Sequence, residues 1–141
     1  MIVLKTSHEL ELMKTACRIS AEALQLAGEA VKPGVSTWEI DKVAHDYIIK
    51  QGAEPNFLGL YGFPGTACIS INDEVIHGIP SKKRVIEEGD IVSIDLGAVL
   101  EGFNGDNPAN FNAPADMMQA SLMRASSLFV LSTIMLNPPM P

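Results

Sequence analysis

The stretch that decides the fold is Ile91-Val-Ser-Ile-Asp-Leu-Gly-Ala-Val-Leu-Glu-Gly-Phe-Asn-Gly-Asp106. Its first half alternates: Val92, Ile94, Leu96 and Ala98 on one side, Ile91, Ser93, Asp95 and Gly97 on the other. Period-two alternation in a β-branched run predicts a half-buried strand. Gly89-Asp90 starts it, and Glu101-Gly102 reverses it. With the loop centred between Leu100 and Glu101, Asp95 falls directly opposite Asp106 on the returning strand, with Cβ atoms roughly 5 Å apart. Two carboxylates that close repel, so one takes a proton or a cation sits between them. Spacing alone leaves two readings open, an exposed hairpin with two solvated acids or a divalent-metal site built from hard oxygen donors. Gly97, Gly102 and Gly105 favour the second, because glycine inside strands marks close approach by a ligand or another backbone.

Upstream of the hairpin come Gly62-Phe-Pro64, Cys68-Ile-Ser-Ile-Asn72, Asp73-Glu-Val-Ile-His77-Gly-Ile-Pro80 and Glu88-Gly-Asp-Ile-Val92. Together with Asp95-Leu-Gly-Ala98, and Gly105-Asp106 eleven residues after the first Asp, this ordered series resembles the type I, bacterial-style methionine aminopeptidases. The resemblance covers about residues 1–106. It implies an α+β fold, the first half of a pita-bread architecture, with two helices packed on a mainly antiparallel sheet. It implies a metalloexopeptidase that removes N-terminal methionine from nascent proteins, with divalent ions (Co, Mn, Fe or Zn, two in a complete site). Asp95 and Asp106 match the first two metal ligands. His77 matches the histidine that reaches the substrate and assists the scissile amide, a role suited to imidazole near neutral pH. Phe57, Phe63 and Cys68 match positions that accept the methionine side chain. Leu60 stands where the family usually has a pocket tyrosine and Tyr61 is one position off, so an apolar pocket without a hydroxyl is expected.

Composition sets bounds on the remaining functions. In 141 residues, 47% are hydrophobic and 19% charged, the balance of a globular domain. A net charge of −7 argues against a basic nucleic-acid surface. No apolar run approaches the ~18 residues of a spanning helix, and the opening Met-Ile-Val-Leu-Lys lacks a signal-peptide pattern. Two cysteines make no disulfide framework, which fits a cytoplasmic setting.

The spacing predicts a long helix capped by Ser7 and ended by Lys32-Pro33-Gly34, with Cys17 on its apolar stripe and hence in the core. Ser36-Thr-Trp-Glu39 is a capping box for a second helix, which carries Ile40, Val43, Ala44, Tyr47 and Ile48 inward and stops at Gly52. His8 and His45 are surface residues of these helices. Residues 53–66 are expected as loop, residues 67–72 and 74–78 as two short strands around Asn72-Asp73, and residues 80–88 as a surface loop.

After Asp106 the composition shifts: residues 107–141 hold five of the nine prolines and five of the seven methionines. They are treated as a divergent tail of the same compact unit, distinct from the half-domain at residues 1–106. Asn107-Pro-Ala-Asn-Phe111 keeps only Phe111 in step with the family, and Pro108 confines its strand to an edge or shortens it. A helix is expected from Ala115 to about Leu136. The family's five metal ligands continue with one histidine and two glutamates, but this sequence has no histidine after His77 and no glutamate after Glu101. The alternative function is therefore an inactive half-domain with weak divalent-metal binding, or one that self-associates through the face left uncovered.

Overall fold

Strands β3 (Ile91–Leu100) and β4 (Phe103–Asn112) of the computed structural model, which describes residues 4–114, close their hairpin on the pair Leu100↔Phe103. Glu101 and Gly102 are the two turn residues, with φ of 49° and 81°. That double positive φ marks the turn whose twist matches the strands it joins. The whole ladder is therefore displaced by two residues from the expected register: Asp106 lies opposite Gly97, and Asp95 opposite Pro108. An even displacement keeps every side chain on its face. The two aspartates share a face as expected, but they are diagonal neighbours rather than opposed.

β3 is central. β2 (Ala67–Ile71) pairs with residues 92–96 on one flank, a two-residue β1 (Glu54–Pro55) pairs with Ala98 and Val99 on the same flank, and β4 takes the other; every pairing is antiparallel. The Gly97 and Ile91 carbonyls accept from the Asn56 and Asn72 N–H groups, each at 2.9 Å. Odd-numbered β3 residues thus bond toward β1 and β2, and even-numbered ones toward β4. On β4 the odd-numbered residues bond back, so Pro108 lacks its N–H on the outer side, where the ladder does not need one. An uninterrupted ten-residue edge strand results.

Two helices, α1 (Ser7–Glu29) and α2 (Thr37–Lys50), cover one face. Thr6, not Ser7, caps α1: its hydroxyl accepts from the Glu9 N–H, and Glu9 Oε2 accepts from the Thr6 N–H at 2.7 Å. Thr6 has a glutamate three residues on, whereas Ser7 has Leu10, so only Thr6 completes the reciprocal box. Ser36 and Glu39 form the second box as expected, and Gly52 follows α2 with a φ of 76°. The core lies between these helices and the sheet: Ala16, Ile19, Ala23 and Ala27 of α1, and Ile40, Ala44 and Ile48 of α2, pack with Ile69, Val92, Ile94, Leu96 and Ala98. Burying each Ile or Leu here contributes about 1.5–3 kcal/mol.

Cys17 is exposed, against expectation. At Gly105 the helix meets β4 backbone to backbone: a Cβ there would fall 2.3 Å from the Cys17 nitrogen. The position that enters the core instead is Ser20, whose hydroxyl donates to the Leu96 carbonyl at 3.3 Å and accepts from Asn107 Nδ2 at 3.0 Å.

Three loop expectations also change. Residues 53–66 contain β1 and a 3₁₀ turn at Leu60–Gly62. Residues 74–78 form no strand; Val75 and Ile76 are exposed, and that side of β2 is met by the Gly78 carbonyl together with the Asp41, Glu74 and Arg84 side chains. The 80–88 segment buries Ile86 at 1% exposure and is stitched to α2, where Thr37 N–H donates to the Arg84 carbonyl and Thr37 Oγ1 bonds both backbone groups of Ser81. β4 runs through residue 106 without a break, and Ala113 is buried. The helix expected from Ala115 to about Leu136 lies outside the described residues. Among the described residues, no helix is long and apolar enough to cross a membrane.

Candidate active site

The sheet face away from the helices carries Ser93, Asp95 and Gly97 from β3, Cys68 and Ser70 from β2, and Asp106 from β4, placed together by the register. Cys68 is the cross-strand partner of Asp95. Beside them opens a pocket of about 440 Å³, within the ~300–1,000 Å³ of small-ligand sites. Phe57, Leu60, Phe63, Pro64 and Ile79 supply its apolar lining, and Cys68, His77 and Asp95 its polar groups.

Asp95 is half-buried. Burial first, and then the Asp106 charge, push its carboxyl above the ordinary carboxylate range, while His77 opposes the shift. The same surroundings push the Cys68 thiol up to about 11, through burial and then through the negative charges of Asp95, Asp106 and Asp41. A thiol so raised stays protonated near neutral pH, and Cys68 lines the pocket. Two neighbouring carboxylates, one penalised for its charge, fit a divalent cation, which would remove the repulsion and supply the charge that burial disfavours. Asp95 and Asp106 are the residues that would hold it. Among the described residues, no group of three or more His, Cys, Asp or Glu side chains forms a metal-sized cluster, so this half offers two oxygen donors rather than a full shell.

Two loops bring the remaining residues in. The aromatic loop ends where Asp41 Oδ1 accepts from the Thr66 and Ala67 N–H groups, each at 2.8 Å. The His77 loop crosses it at Gly65, where an added Cβ would lie 2.8 Å from Pro80 Cγ. His77 is exposed, in a left-handed backbone with a φ of 58°.

The structure thus brings Phe57, Phe63, Cys68, His77 and Asp95 to one pocket. Asp106 is not among the lining residues and lies one step diagonally from Asp95, on the exposed edge strand. Tyr61 lies beside the pocket in a left-handed backbone (φ 50°), but its side chain is fully exposed. Ile79 also lines the pocket, and its only sequence signal is its place two residues after His77.

The chain belongs to metallopeptidase family M24, whose pattern matches residues 11–126. Membership implies divalent metal ions. Within that class, the chain is 50% identical over 111 residues to the methionine aminopeptidase of Clostridium acetobutylicum, a match covering 79% of this chain and 44% of that protein. The crystal structure of the methionine aminopeptidase from Thermotoga maritima superposes with a TM-score of 0.80 at 34% identity, covering 99% of this chain and 56% of that one. Aminopeptidase P from E. coli shares the fold, with a TM-score of 0.67 at 22% identity over 78% of this chain and 24% of its own. The fold is the first half of the pita-bread architecture, and the chain spans about half the length of the methionine aminopeptidases it matches.

Proposed function

We propose that this chain carries the methionine-recognising half of a metal-dependent aminopeptidase of the type I, bacterial style, which removes N-terminal methionine from nascent proteins in the cytoplasm. The observation that supports this most is the apolar pocket opening onto Asp95 and His77. Phe57, Phe63 and Cys68 would take the thioether side chain, since aromatic faces and a neutral thiol suit a polarizable sulfur. His77 would donate to the first peptide bond or carry its proton. Asp95 and Asp106 would hold the metal (Co, Mn, Fe or Zn, two in a complete site). When bound, the metal supplies Lewis-acid chemistry, acidifying a water and polarising the scissile carbonyl.

A second reading rests on a specific observation: among the described residues, no third His, Cys, Asp or Glu joins Asp95 and Asp106 to form a metal-sized cluster. On that reading these residues bind a methionyl peptide without turning it over, and the open sheet face pairs with a second copy. Met-Ala-Ser in excess Mn²⁺ or Co²⁺ separates the two readings. Release of methionine above that of the Asp95→Asn, Asp106→Asn double variant, lost in His77→Ala, gives the aminopeptidase. Calorimetric binding without release, with concentration-dependent dimerisation, gives the half-site. Equal binding of Met-Ala-Ser and Lys-Ala-Ser overturns both.

A further inference from the structure

The outer side of β2 would by its ladder be an open edge, since Ala67, Ile69 and Ile71 turn their backbone groups away from β3. Each is met by the chain itself. Ala67 N–H donates to Asp41 Oδ1 at 2.8 Å, Ile69 N–H to the Gly78 carbonyl at 2.8 Å, and Ile71 N–H to Glu74 Oε2 at 2.9 Å. The Ile69 carbonyl accepts from Arg84 Nη1 at 3.2 Å. The same nitrogen donates to the Ile79 carbonyl at 2.8 Å, and Arg84 Nη2 pairs with Glu74. One guanidinium therefore ties the strand to the residue two after His77 and to the residue three before it.

His77 depends on such ties. No hydrogen bond among the described residues holds its imidazole, and its left-handed φ of 58° is uncommon outside glycine. What fixes its direction is the backbone on either side. Gly78 lies so close on β2 that an added Cβ would fall 2.0 Å from the Ile69 carbonyl oxygen, and its N–H donates to Ser70 Oγ at 3.2 Å. Toward the N-terminal side, Glu74 is anchored by Ile71 and by Arg84.

We propose that Arg84 is a positioning residue for His77: its planar fork, together with Glu74, seats residues 74–79 on β2 so that the imidazole meets the pocket beside Asp95. This rests on the proposed function for the role of His77, but not for the clamp itself. Lysine is a point charge on a flexible stem and cannot span two carbonyls and a carboxylate in one plane.

The test is amide exchange and imidazole resonances by NMR on the full chain, with Arg84→Lys and Glu74→Gln, alongside Met-Ala-Ser binding. Arg84→Lys is expected to speed exchange at Ile69 and Gly78 at least tenfold, to shift the His77 ring signals, and to weaken peptide binding to the His77→Ala level, with Ile94 exchange unchanged. Glu74→Gln keeps an acceptor for Ile71 and moves the same signals less, so it carries the test if Arg84→Lys does not fold. Unchanged ring and loop signals in the folded variants, or exchange raised equally at Ile94, overturn the proposal. Ring and loop signals that move while binding holds support the clamp and overturn instead the assignment of His77 to the substrate.

Discussion

β2 and β4 flank the same central strand, and each turns one row of backbone groups away from it. On β2 that row is buried except at its end: Ala67 and Ile69 have no exposed surface, Ile71 is half-buried, and Asp41, Gly78, Glu74 and Arg84 all bond to it. On β4 the outward residues are Asn104, Asp106, Pro108, Asn110 and Asn112, all exposed, and no hydrogen bond among the described residues reaches their backbone groups. Burial makes the difference, because a buried backbone group must be paired while a solvated one need not be. The site divides along the same line. His77 and the pocket are held from the satisfied edge, while Asp106 stands on the bare one.

The comparison breaks most severely at Asp41. Asp41→Ala leaves two buried N–H groups without an acceptor, at about 1–3 kcal/mol each, offset in part because the carboxylate's own burial cost disappears. A net loss of about 3 kcal/mol is expected from urea unfolding; a loss under about 1 kcal/mol would mean that water already serves those groups. Asp41→Asn keeps an acceptor oxygen and should cost less. Burial raises the Asp41 carboxyl in the folded state, so its contribution is fully present below the unfolded value of about 3.9 and is lost as pH rises through the folded one. The penalty of Asp41→Asn relative to the parent should therefore be larger near pH 3.5 than at pH 7, and a penalty that grows with pH would reverse the sign assigned here.

Amide exchange reads both edges at once. Ile69 should exchange at least about thirtyfold more slowly than Asn110, since local opening frees solvated groups first. Equal protection would show that another part of the chain, or a second copy, pairs with β4.

Thr37→Val tests the strap that brings Arg84 to β2. It removes two hydrogen bonds to Ser81 from a buried threonine, and about 1–2 kcal/mol of stability should go with them in thermal or urea unfolding. No change would mean that the strap is held by Ile86, the Ser36↔Val85 bridge and the other backbone bonds around it.

Pro108→Ala should have the smallest effect, a loss of about 0.5 kcal/mol that comes from the freer unfolded chain. The regained N–H points outward and adds nothing to the ladder. A gain of 1 kcal/mol or more in urea would show that position 108 bonds toward β3 after all.

Much of this molecule is local and so could be read from the residues in order. Apolar spacing and the Ser36–Glu39 box mark α2; alternation and Glu101-Gly102 mark the hairpin and put Asp95 and Asp106 on one face. These depend on neighbours a few positions apart, and the sequence displays them directly. Even the displaced register is a matter of local turn geometry: two residues, both at positive φ, are spent in the turn, so pairing starts at Leu100 and Phe103. What surrounds an element is not written in its own spacing. Cys17 has the period of a core residue but is exposed, and Ser20 has the chemistry of a surface residue but is buried, because Gly105 brings β4 against the helix backbone and Leu96 and Asn107 supply partners for the hydroxyl. Residues 74–78 look like a strand and are none, because the Glu74 and Arg84 side chains take the Ile71 N–H and the Ile69 carbonyl, and the segment's backbone reaches the Ile69 N–H through the Gly78 carbonyl. The pocket itself is tertiary: Phe57, His77 and Asp95 come from three separate segments, and only the register of β2 on β3, with two loops pinned by Asp41 and Arg84, sets them facing one space.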